Sequence, residues 1–140
     1  MADSYGYRSG PRSSVKLLLD SDSAAVTSGD ILTSTGATPG YVIAADGSGD
    51  AFRGVAITDS ASPSADGGAF VMADVSQMSI YEYPVDSGSV AAGDAGFTCD
   101  IAAARTINFD ASVTDNVKIH AVDVDANTVF VSFITDFAGT

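Results

Sequence analysis

The sequence predicts an all-β protein: a single compact antiparallel β-barrel or sandwich with an extended N-terminal arm. Apolar clusters are short and bounded by Gly, Asp, Ser or Pro, with turn signals recurring about every 8–12 residues, the spacing of sandwiches and barrels. The acids are turn-forming in kind, because seventeen of the eighteen are Asp and Glu82 is the only Glu. Helical surfaces would carry Glu and Lys instead. Gly, Ser, Thr, Ala and Val make up much of the rest, a composition of strands joined by tight turns.

The arm comes first. Residues 1–16 hold three of the six basic residues, Arg8, Arg12 and Lys16, against a single acid, Asp3, for a net charge of +2. Residues 17–140 hold the other three basic groups against seventeen acids, a net charge of −14 that completes the chain's −12. The arm has no apolar periodicity and interleaves Gly, Ser and Pro with Tyr5 and Tyr7. A cationic segment on an anionic body implies two faces or two partners. Residues 1–16 are therefore expected to form the arm and residues 17–140 the acidic domain.

Strands follow near 14–19, 30–34, 40–45, 52–58, 68–73 and 77–85, and then near 96–100, 105–109, 117–125 and 128–134. The last two form the clearest element, a hairpin turning at Asp125, Ala126 and Asn127. Val117 and Ile119 alternate on one parity and Val122 and Val124 on the other, which predicts a bulge near Ala121. No helix of ordinary length emerges. The alanines of "DIAAARTI" (100–107) permit at most one short turn before Thr106, Ile107 and Phe109 return to strand character.

One internal echo is visible. Val26, Gly29 and Asp30 of "AVTSGDILTS" match Val90, Gly93 and Asp94 of "SVAAGDAGFT", 64 residues later. A turn explains the residue types: Val ends a buried strand, Gly takes positive φ, and Asp bonds a backbone N–H as the next strand begins.

Composition narrows the partners. A body of net charge −14 repels nucleic acid and anionic lipid. No apolar run approaches the roughly 20 residues of a membrane helix, and "VKLLLD" is too short for a signal-peptide core, so neither membrane nor export is expected. Cys99 is alone, which excludes an intramolecular disulfide.

Catalytic and metal chemistry finds little support. His120 is the only histidine and sits within a predicted strand, so it reads as a surface strand residue rather than a general base. Cys99 reads as a small buried hydrophobe with nothing basic nearby to activate it. Asp123, Asp125 and Asn127 start like a calcium loop, but Thr128 stands where Gly is required and Ile134 where a bidentate Glu is required. "DGSGD" (46–50) lacks the oxygens of a dedicated site. Phosphate- and dinucleotide-binding glycine patterns are absent, since Phe52 breaks "GSGDAF". Tyr81 and Tyr83 share a strand face and are the best candidates for stacking a sugar, though a core or interface role suits them better; the chain has no Trp. No catalytic residue, cofactor, metal or small-molecule substrate is expected, and a structural or binding role remains.

The stretch "FRGVAITDSASPSADGGAFVMADVSQMSIY" (52–81) resembles the small β-barrel capsid decoration, or cement, proteins of tailed bacteriophages. The matching positions are Gly54, Val55, Ala56 and Thr58, then Gly67, Gly68 and Val71, and later Val90, Gly93 and Asp94. "DVSQM" stands where that pattern has a strand glycine. The resemblance implies a non-enzymatic virion protein that trimerises and seats on the outer surface of an icosahedral head, stapling neighbouring major capsid protein subunits. It implies that the arm, with Tyr5, Tyr7, Arg8, Arg12 and Lys16, lies along the shell while the acidic body faces solvent. Two other classes remain open: a carbohydrate- or receptor-binding β-module of a virion fibre, which needs exposed aromatics at Tyr81 and Tyr83, and a small β-hydrolase, which needs paired carboxylates of raised pKa.

Overall fold

The computed structural model describes residues 6–34, 40–46, 51–109 and 115–134. The strands are β1 (Gly6–Ser9), β2 (Ser14–Leu18), β3 (Ile31–Ser34), β4 (Val42–Ala44), β5 (Phe52–Ala56) and β6 (Phe70–Asp74), followed by β7 (Ile80–Pro84), β8 (Thr98–Ala103), β9 (Thr106–Asn108), β10 (Val117–Asp123) and β11 (Thr128–Phe133). Among the described residues the only helical element is a single 3-10 turn, Ala92–Asp94. The alanine-rich 100–107 stretch is strand, with its turn at Ala104 and Arg105 between β8 and β9. The expected bulge is present, since the β10–β11 register shifts between Ile119 and Ala121.

Two antiparallel sheets pack face to face, ordered β1-β7-β11-β10-β8-β9 and β2-β6-β5-β3-β4. The fold is a sandwich and not a closed barrel. Each sheet nevertheless curls: isolated parallel bridges join β9 to the end of β7 at Val85–Ile107 in the first, inside the edge strand β1, and β4 to the end of β2 at Leu19–Val42 in the second. Curling creates two cores. The larger fills the space between the sheets with Ile31, Phe52, Val55, Tyr81, Tyr83, Ile107, Val131 and Phe133 among others, and Phe52 stacks on Phe133 at 4.5 Å between ring centroids. The smaller, around Leu19, Leu32, Val42, Ala56 and Val71, lies on the opposite face of the second sheet. Strands β3 and β5 therefore bury both faces, so Ile31 and Leu32, or Val55 and Ala56, enter different cores.

The topology is duplicated. Strands β2 to β6 follow the spatial order first-fifth-fourth-second-third, and β7 to β11 follow the same order. Register repeats with it: Val15–Ala73, Lys16–Met72 and Leu17–Val71 in one unit correspond to Tyr81–Val131, Glu82–Phe130 and Tyr83–Val129 in the other. The closing bonds correspond too, Asp20 N–H to Val42 O and Asp86 N–H to Ile107 O.

The Val-x-x-Gly-Asp echo falls at equivalent turns of the two units. Asp30 accepts from Thr27 N–H through Oδ2 and Asp94 from Ala91 N–H through Oδ2, while their own amides bond back to Thr27 O and Ala91 O. Val26 and Val90 are both buried. The glycine expectation holds only at Gly29, where φ is +97°. In the second turn the positive φ falls three residues later, at Gly96.

Candidate functional site

Residues 6–18 form a strap along one side of the sandwich. The described part of the extended arm is woven into both sheets. Strand β1 pairs with β7 at the edge of one sheet, residues 10–13 cross over, and β2 pairs with β6 at the edge of the other. The physical reason is that the body offers buried acids and an aromatic for each basic residue to meet. Tyr5 lies outside the described residues.

Arg8 Nε donates to Glu82 Oε1 at 3.0 Å, and Thr128 Oγ1 donates to Glu82 Oε2 at 2.6 Å. The ring of Tyr7 packs edge-on against Tyr81, with centroids 5.7 Å apart. Arg12 lies over the Tyr7 ring at 4.1 Å and forms a longer ion pair with Asp74, Nε to Oδ2 at 3.7 Å. Lys16 lies over Phe70, with its ammonium 4.5 Å from the ring centroid.

Asp74 is the electrostatic centre of the strap. It is buried, and desolvation would raise its pKa, but hydrogen bonds from Tyr81, Ser13, Ser79 and Ser76 outweigh burial and hold it below the ordinary value. Oδ1 accepts from Ser13 N–H at 2.9 Å and Ser76 N–H at 3.0 Å, while Oδ2 accepts from the Tyr81 hydroxyl at 2.6 Å. Burial, reinforced by the Asp74 charge, pushes the Tyr81 hydroxyl well above its usual range. Of the roles read for Tyr81 and Tyr83 the core role holds, and the interface and sugar-stacking roles are corrected: both are enclosed, at 1% and 0% exposure. Alternation placed them on one face, and that face is the core; the Tyr83 hydroxyl reaches Gly29 O at 2.6 Å.

The other chemical candidates resolve as follows. Cys99 is buried, and desolvation followed by the charge of Asp100 pushes its thiol up to about 12. His120 is exposed on β10, with Nε2 2.7 Å from Ser132 Oγ. Among the described residues no carboxylate orients its other nitrogen, so the pair lacks the third member of a nucleophilic triad. Asp123 and Asn127 serve the hairpin. Asp123 Oδ1 accepts from Ala126 N–H, and Asn127, at φ +57°, accepts from Val90 N–H and donates to Gly88 O. Of "DGSGD", residues 47–50 lie outside the described residues. Among the described residues no three His, Cys, Asp or Glu side chains gather as metal ligands would.

Sequence reasoning missed the ion pair between the units. Arg105, in the β8–β9 turn, donates through Nε to Asp30 Oδ1 at 2.8 Å and also bonds Ser28 O. It missed the open edge as well. Leu18 is 38% exposed and Phe70 is 50% exposed, forming with Lys16 a basic and apolar strip on one face of β2 and β6, while Val15, also 38% exposed, lies on the other face of the same edge. The charge asymmetry of residues 1–16 was its one visible signal.

No family model, curated protein or solved structure matches the chain.

Proposed function

We propose that this protein is a structural virion component, a decoration or cement protein that trimerises, binds the outer surface of an icosahedral phage head and staples neighbouring major capsid protein subunits. The observation that carries the reading is the strip formed by Lys16, Leu18 and Phe70, an apolar and cationic surface on a chain of net charge −12. Apolar and basic side chains held on a rigid edge are the means of adhesion, and an acidic remainder keeps the outer surface soluble and averse to nucleic acid. The resemblance over residues 52–81 supports the same reading. Gly54 lies on β5, where an added Cβ would come within 3.2 Å of Ala73 Cβ and Asp74 O, so the motif has a packing reason. The fibre-module alternative has lost its observation, because Tyr81 and Tyr83 are interior.

The test is mass spectrometry of tailed-phage particles purified from the source culture, with light scattering of the isolated protein. Peptides of this chain in stoichiometric amount with the major capsid protein, and a mass near three chains, are expected. Particles that lack the chain would overturn the reading.

A further inference from the structure

The duplicated topology makes β2 and β7 equivalent strands, yet their outer edges are treated differently. The outer edge of β7 is covered by β1, with Gly6 opposite Glu82 and Tyr7 opposite Tyr81. Among the described residues only the Leu19–Val42 bridge at its C-terminal end touches the outer edge of β2, which ends its sheet. Leu19 N–H bonds Ala69 O and Val75 N–H bonds Ser13 O, so odd-numbered residues of β2 face β6. The backbone groups of Ser14 and Lys16 and the N–H of Leu18 therefore point outward as an open hydrogen-bonding ladder, which the Leu19–Val42 bridge ends.

Side chains carry the same imprint. Tyr81 is covered by Tyr7, whereas its counterpart Val15 is 38% exposed. Glu82 is paired with Arg8, whereas its counterpart Lys16 has, among the described residues, only the ring of Phe70. The β2 edge is a charge-inverted version of a strand-docking site the molecule already fills once.

We propose that the outer edge of β2 binds an extended segment of another protein by strand addition, antiparallel, with an aromatic or apolar residue over Val15 and an acidic residue beside Lys16. Main-chain bonds to Ser14, Lys16 and the Leu18 N–H supply affinity, and the side chains supply selection. A second copy of this chain is the poorer occupant. Among the described residues its open strand edges are β1 and β2, whose outward charges are Arg8 and Lys16, so edge-to-edge pairing would oppose like charges. The proposal stands whether or not the protein belongs to a virion.

The experiment titrates isotope-labelled full-length protein with a threonine-flanked peptide in which the Gly-Tyr-Arg-Ser of β1 is rewritten as Gly-Tyr-Glu-Ser, followed by amide NMR. Shifts at Ser14, Lys16 and Leu18 are expected. The Glu peptide should bind about fivefold tighter than the Arg peptide, the ratio from reversing one exposed charge pair. Lys16→Pro removes an outward N–H and should abolish binding while leaving the β2–β6 bonds in place. Lys16→Glu keeps the backbone and should reverse the peptide preference, so the proposal remains testable if the proline variant does not fold. Shifts confined to Ile80–Glu82, absence of binding, or binding indifferent to Lys16→Glu would overturn it. So would self-association abolished by Lys16→Pro, which would assign the edge to a second copy.

Discussion

The Tyr81 hydroxyl donates to Asp74 Oδ2 at 2.6 Å, joining the first strand of one unit to the last strand of the other. Residues 75–79 connect these two strands, and Asp74 also holds the strap through Ser13 N–H. Tyr81→Phe keeps the ring against Tyr7 and removes only the hydroxyl. It should cost about 1–3 kcal/mol, the penalty for leaving a buried carboxylate under-bonded, measured by urea unfolding.

Acid should release the same junction. The folded-state pKa of Asp74 lies below its ordinary value of 3.8, so the unfolded chain takes up this proton first as pH falls. The stabilisation from the shift is fully present above the unfolded pKa and is lost as pH falls through the folded one. Asp74→Asn should lower stability at neutral pH and flatten its decline below about pH 4, read from unfolding midpoints across that range.

Arg8 and Arg12 should not be equivalent. Arg8 bonds Glu82 at 3.0 Å, and its loss leaves that nearly buried carboxylate with Thr128. Arg12 is 3.7 Å from an Asp74 that three shorter hydrogen bonds already satisfy. Arg8→Ala is expected to cost about 1–3 kcal/mol and Arg12→Ala less than about 1 kcal/mol, the latter mostly from its stacking on Tyr7. Equal losses in parallel urea titrations would contradict this ranking.

Cys99 should be silent in the native state. Its thiol is buried and pushed up to about 12, so thiolate is scarce at neutral pH. A disulfide-exchange reagent should leave the native protein unlabelled and modify one thiol per chain in concentrated guanidinium. Rapid native labelling would mean that β8 opens locally.

Much of the fold was legible because strand and turn signals are local. The ten strand regions read from alternation and turn residues each overlap an observed strand, and the parity switch in β10 marked its bulge. Strand β1 was not legible: "GYRS" has no apolar alternation, and its conformation is set by Tyr7 meeting Tyr81 and Arg8 meeting Glu82. The duplication was visible only as one shared turn, since equivalent positions such as Lys16 and Glu82 share backbone pairing and not chemistry. Alternation also says which residues share a face, not which face is inside, so core and interface stayed open together for Tyr81 and Tyr83.

The repeated turn offers a comparison within one molecule. Asp30 and Asp94 each accept an amide three residues back, so the local bond is common to both. Their surroundings differ: Asp30 is 6% exposed and also accepts from Arg105, whereas Asp94 is partly exposed. Asp94→Ala removes one turn bond near solvent and should cost about 0.5–1.5 kcal/mol. Asp30→Ala also strips Arg105 of its carboxylate partner, leaving Ser28 O, beside the backbone that joins the units, where Ile31 N–H bonds Ala104 O, and should cost about 2–3 kcal/mol. Restoring most of that loss by a second change, Arg105→Met, would assign it to the orphaned guanidinium. A loss no larger than that of Asp94→Ala would mean that the turn alone matters and that the ion pair between units contributes nothing measurable.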